Sequence, residues 1–149
     1  MASNNVLPFY HQKALNSFFN KADASTENIK LRYEKMRSIY YQDRIQEALE
    51  LANSLLQLNL KSMGKGYLES SILHYKGGCH TQLGEFKSAL SCYKQITEIN
   101  RVNNSAWAAI TLIYLKLGKK DKAEQAANKA LEIFPDEKQF DFMRIELNL

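Results

Sequence analysis

Turn-forming residues are scarce in this chain. It holds six glycines and two prolines in 149 residues, about half the usual combined share. An all-β protein needs a glycine- or proline-rich turn every ten residues or so, and this chain cannot supply them. Hydrophobic residues still make up 45%, too many for a disordered chain. Cysteine is scarce as well. Cys79 and Cys92 lie mid-chain, too few for a disulfide framework, and are expected to be reduced thiols. No run approaches about 18 uninterrupted apolar residues, so no membrane insertion is expected. The opening MASNNVLPFYHQ lacks a basic start followed by an apolar run, so no secretory signal is read and a cytoplasmic location is expected.

Chemistry-bearing clusters are missing too. KGGCH at 76–80 has two glycines, but inside a helical pattern rather than after a strand, so it is not a phosphate loop. Gly77 is expected to let two helices approach closely. No Cys-x2-Cys or His-x3-His pair exists, and His74 and Cys79 are five residues apart, which does not stack them on one helical face. No nucleophile–histidine–carboxylate set is recognisable. The sequence therefore implies no cofactor, no metal site and no enzyme. Charge of one sign is never concentrated. The net charge is +4. Residues 1–66 hold nine Lys/Arg against six Asp/Glu, and residues 104–149 hold seven of each. A nucleic-acid footprint clusters more strongly than this, so no nucleic-acid partner is expected.

What is present is a repeat. Leu83 and Leu117, Gly84 and Gly118, Ala89 and Ala123, and Ile99 and Ile133 are each 34 residues apart. Trp107, Ile110, Tyr114 and Leu117 recur at helical spacing, and Gly118 then ends that helix by taking a left-handed conformation. Ala123, Ala127, Ala130, Leu131 and Phe134 form a second pattern that Pro135 stops. A fixed period of this kind means helix–turn–helix units that bury their apolar faces only by stacking.

On these residues the chain resembles the tetratricopeptide repeat family. Residues 104–137 match its pattern at Trp107, Ile110, Tyr114, Gly118, Ala123, Ala127, Ala130 and Pro135. Residues 70–103 match at Leu73, Gly77, Gly84, Ala89, Tyr93 and Ile96, with His80 replacing the usual tyrosine and Arg101 the usual proline. An earlier, degenerate repeat is read over 28–61, with Ser25 or Thr26 as N-cap. Its Ala48, Leu55 and Leu58 lie 41 residues before Ala89, Ile96 and Ile99. The extra seven residues are assigned to an inserted loop at 62–69. An N-terminal helix is expected at 6–22, with Phe9, Ala14, Phe18 and Leu15 on one face. It could be a cap or half of a decayed repeat. A capping helix is expected at 138–149, carried by Phe140, Met143 and Leu147. The resemblance implies an all-α, right-handed α-α superhelix of about eight antiparallel helices.

It also implies where function lies, on a concave face lined by the first helix of each repeat. The matching positions give a candidate partner-binding groove of Lys30, Tyr33, Arg37, Tyr40, Tyr41, His74, Tyr75, Gln82, Leu112 and Lys116. One end would be aromatic and basic and the other small and apolar. This suits a peptide or helical protein segment that is apolar with some acidic residues. Co-chaperone members grip heat-shock chaperone C-termini with a Lys/Asn/Arg clamp. Its positions here are Tyr33, Arg37, Tyr75, Ser105 and Ala109, so the clamp is absent and that partner is not expected. An adaptor or scaffold is the leading expectation. A subunit of a larger assembly and a small chaperone of secreted proteins are the alternatives.

Overall fold

The computed structural model describes residues 9–20, 24–60 and 66–149. Every regular element among them is helical. The order is α1 (Phe9–Asn20), α2 (Ala24–Tyr41), α3 (Ile45–Leu56), α4 (Tyr67–Gln82), α5 (Phe86–Ile99), α6 (Asn104–Lys116), α7 (Lys120–Ile133) and α8 (Asp141–Leu147). A 3-10 turn, Lys138–Phe140, leads into α8. Helices α2 to α7 pack in sequence, each against the next, as an all-α superhelix of stacked hairpins.

The three hairpin turns are built alike. Asp43, Gly84 and Gly118 take positive φ of 63°, 75° and 68°. After each, an amide reaches back five residues: Arg44 N–H to Ile39 O at 3.2 Å, Glu85 to His80 at 2.8 Å, and Lys119 to Tyr114 at 2.9 Å. This bond satisfies a carbonyl left over at a helix end. Glycine is the usual residue at such a turn, and Asp is one of the few side chains that tolerate it. The first hairpin therefore closes like the others without a glycine.

Alanines hold the hairpins together. Ala48, Ala89, Ala123, Ala127 and Ala130 are fully buried. With no side chain beyond Cβ, they let the second helices sit close to the first. Gly77 does the same on α4. A Cβ there would lie 2.8 Å from the Tyr93 ring on α5, and Tyr93 is itself buried, with His74 stacked edge-on at 5.7 Å. The Gly77→Val variant is therefore expected to lose about 2–3 kcal/mol of stability through overpacking. Urea unfolding measures this as a lower midpoint at unchanged slope.

Several boundaries differ from the sequence reading. Ser25 and Thr26 fall inside α2, not before it. Of the expected loop at 62–69, residues 61–65 lie outside the described residues, while Tyr67, Leu68 and Glu69 already belong to α4. Leu68 and Ile72, four apart, both bury completely against the first hairpin. That burial starts the helix early. In α1 the buried pair is Leu15 and Phe19, with Ala14 and Phe18 half-buried. The side chain of Phe9 lies outside the described residues. At the other end Phe140, Met143 and Leu147 bury at helical spacing, as their pattern requires. Both cysteines are free and buried, and burial pushes the Cys79 thiol up to about 12.

Candidate partner-binding face

The first helices α2, α4 and α6 carry every candidate groove residue. Four of those residues are tyrosines, and they gather around one arginine. Tyr40 and Tyr75 rings meet edge-on at 5.2 Å, Tyr41 and Tyr75 at 6.1 Å, and Tyr33 and Tyr75 at 6.3 Å. The Arg37 guanidinium lies 5.7 Å over the Tyr33 ring and donates from Nε to the Tyr75 hydroxyl at 3.1 Å. The Tyr41 and Tyr75 hydroxyls are 3.2 Å apart, Gln82 donates to the Tyr40 hydroxyl at 3.1 Å, and the Tyr33 and Ser71 hydroxyls share a hydrogen bond. The α2 and α4 helices are thus joined by a polar-tipped aromatic seam. Edge-on rings and satisfied hydroxyls are the favoured way to bury tyrosine.

This packing corrects part of the expected groove. Tyr33, Tyr40, His74 and Tyr75 are buried and offer a partner no surface. The reason lies in the seam, which spends their rings and hydroxyls on holding the first two hairpins together. His74 turns further away, with its ring edge-on to Tyr93 of α5. Burial raises the phenol pKa of Tyr33 to about 12 and pushes that of Tyr75 up as well.

The other candidates remain accessible. Tyr41 is 46% and Leu112 44% exposed. Lys116 is exposed and reaches 5.7 Å from the Phe86 ring, while Lys30, Arg37 and Gln82 are half-buried. Arg37, Tyr41 and Gln82 sit together at the seam, and Leu112 and Lys116 lie apart on α6. Helix α1 covers another part of this face. It packs on both α2 and α4, with the Phe19 ring 5.9 Å from Tyr33. It therefore lies across the first helices of the first two hairpins. No residue spacing points to this seat, because it depends on how α2 and α4 are placed side by side.

No group of three or more His, Cys, Asp or Glu among the described residues could hold a metal ion. No helix among them is long and apolar enough to cross a membrane.

Residues 70–103 and 105–137 match the model of the tetratricopeptide repeat. No curated protein matches the chain significantly. Solved structures do. PcrH from Pseudomonas aeruginosa superposes with a TM-score of 0.65 at 16% identity, covering 82% of this chain and 87% of that one. The Yersinia enterocolitica type III secretion chaperone SycD, in complex with a peptide of the translocator YopD, gives 0.67 at 15% identity, covering 82% and 88%. The first repeat domain of Spaghetti (RPAP3), bound to the HSP90 peptide SRMEEVD, gives 0.68 at 15% identity, covering 82% and 91%. At these identities the likeness is one of fold.

Proposed function

We propose that this chain, a tetratricopeptide repeat protein across residues 70–137, is a non-enzymatic adaptor that binds a partner protein segment on the face of α2, α4 and α6. One observation carries the reading. That face keeps accessible aromatic, cationic and apolar side chains, Arg37, Tyr41 and Gln82 at the seam and Leu112 and Lys116 on α6, beyond the part that α1 covers. Aromatic and arginine side chains are common interface anchors. The partner segment would place apolar side chains against Leu112 and Tyr41 and an acidic one near Arg37 or Lys30. The fold supports the reading, since relatives in shape were solved with peptides bound. Heat-shock chaperone C-termini are left out. Tyr33 and Tyr75 occupy clamp positions and are buried, and Ser105 and Ala109 bring no charge. We place the protein in the cytoplasm, working without a cofactor.

The test uses the full chain with Tyr41→Ala and Leu112→Asp together. Both side chains are about half exposed. Leu112→Asp should leave unfolding within about 0.5 kcal/mol of the parent, and Tyr41→Ala should cost about 1 kcal/mol through its ring and hydroxyl contacts with Tyr75, which leaves the chain folded. Affinity capture from the native cell should lose the principal partner. An unchanged set of captured proteins would sink the reading. Tyr75→Ala is unsuitable, because it removes a buried ring from the seam.

A further inference from the structure

A second surface lies away from the first-helix face. A cleft of about 460 Å³ opens between the second helices α5 and α7, with α6 beneath it. Trp107, Ile110 and Tyr114 from α6 form the floor, and Lys94 from α5 with Lys122 and Lys129 from α7 line its sides. The floor is apolar toward the opening. The Trp107 indole N–H is already donated to the Arg101 carbonyl at 2.8 Å, so the ring offers only its apolar surface.

The cations are arranged in an unusual way. The Lys94 ammonium lies 5.5 Å and the Lys122 ammonium 6.0 Å from the same Tyr114 ring centroid. None of the three lysines forms an ion pair among the described residues. The nearby Lys120, by contrast, pairs with Glu124 at 3.9 Å. Two like charges drawn to one ring repel each other, and an anion between them relieves that repulsion. An apolar floor with uncompensated cations at its sides fits an apolar side chain flanked by carboxylates. A continuous polyanion fits less well, because Glu98 lies one helical turn beyond Lys94 on α5 and lines the adjoining surface.

We infer that the α5–α6–α7 cleft is a second binding site, for a short acidic protein segment that inserts one apolar side chain against Trp107 and Tyr114. The site is separate from the first-helix face, and its failure would leave the adaptor reading untouched. It gives the chain two faces, so that one partner segment could be held on each.

Trp107 is the chain's single tryptophan, so its fluorescence reports the cleft alone. The probe is the blocked peptide Ac-Asp-Glu-Leu-Glu-Asp-NH2, titrated into the full chain. A saturable change in Trp107 emission is expected, with a midpoint below about 1 mM. It should weaken about tenfold when salt rises from about 0.05 M to about 0.5 M, because screening shortens the reach of surface charge. The Lys94→Gln/Lys122→Gln/Lys129→Gln variant should abolish it while keeping the parent's circular dichroism. So should replacing the peptide's leucine by glycine. No emission change in the parent chain, or an equal change in the triple variant, would overturn the inference. So would equal responses to the glycine peptide, to inorganic phosphate or to single-stranded DNA.

Discussion

Replacing Phe140 by Ala should lower the unfolding free energy by about 3–5 kcal/mol, the usual cost of removing a fully buried aromatic ring. Phe140 has no exposed surface and lies 5.8 Å from the ring of Phe134 at the end of α7. It ends the 3-10 turn that carries α8, and it shares one core with Met143, Leu147 and the α6–α7 hairpin. Helix α8 is only seven residues long. A helix that short has no stability of its own, so its place depends on this packing. The end of a repeat stack also needs a cover with a polar outer side, and α8 provides it with Asp141 and Arg144, paired at 3.0 Å. Urea unfolding followed by circular dichroism measures the loss. A change below about 1 kcal/mol would mean that α8 comes away by itself and that the cap does not belong to the cooperative unit.

The second large effect is alkaline. Burial keeps the Tyr33 phenol neutral and raises its pKa from 10.0 to about 12, while the hydrogen bond to Ser71 pulls the other way. Below pH 10 the phenol is protonated in both folded and unfolded chains, so its contribution is constant. Above pH 10 the unfolded phenol ionises freely and the folded one does not. The unfolded chain then binds fewer protons, and stability falls as pH rises from 10 toward 12. Two units at about 1.36 kcal/mol each give about 2.7 kcal/mol lost across that window for Tyr33 alone. At 3% exposure, solvent does little to reduce the penalty. Tyr75 is raised in the same direction, again mainly by burial, and steepens the fall. Unfolding free energies should therefore begin to fall near pH 9, where the unfolded Cys79 thiol ionises and the buried one does not, and drop more steeply beyond pH 10 as the tyrosines join it. Tyr33→Phe should start about 1 kcal/mol lower, through the lost hydrogen bond, and should fall less steeply. Equal slopes in the two proteins would show that Tyr33 ionises in the folded chain as it does in water.

The expectations that survived without change rest on short-range rules. The 34-residue spacing, the alanines at 89, 123, 127 and 130, and the left-handed glycines at 84 and 118 follow from helix period and backbone sterics, which neighbouring residues fix among themselves. Gly77 was legible for the same reason, since a glycine inside a helical pattern signals a close neighbour. The first hairpin turn was harder to see because Asp43 stands where the others have glycine. The early start of α4 was hidden as well. Tyr67 and Leu68 gain helical structure only because Leu68 finds a buried place against the first hairpin.

The candidate face divides along the same line. Family positions alone placed Tyr33, Tyr40, Tyr41 and Tyr75 on one surface, and the structure does bring them together. Position says which way a side chain leaves its helix, but not whether a neighbouring helix already occupies that space. Here α2 and α4 lie close enough for the rings to fill the space between them, so only Tyr41 stays accessible. The basic cleft shows the converse. Lys94 comes from α5 and Lys122 and Lys129 from α7, with α6 between them in the chain, and no sequence spacing brings all three to Trp107. The sequence by itself determined the helices, their period and their turns, because those depend on residues within a few positions of one another. Only the tertiary structure decided which side chains are spent on holding hairpins together and which are left for a partner, because that depends on distances between helices that packing alone sets.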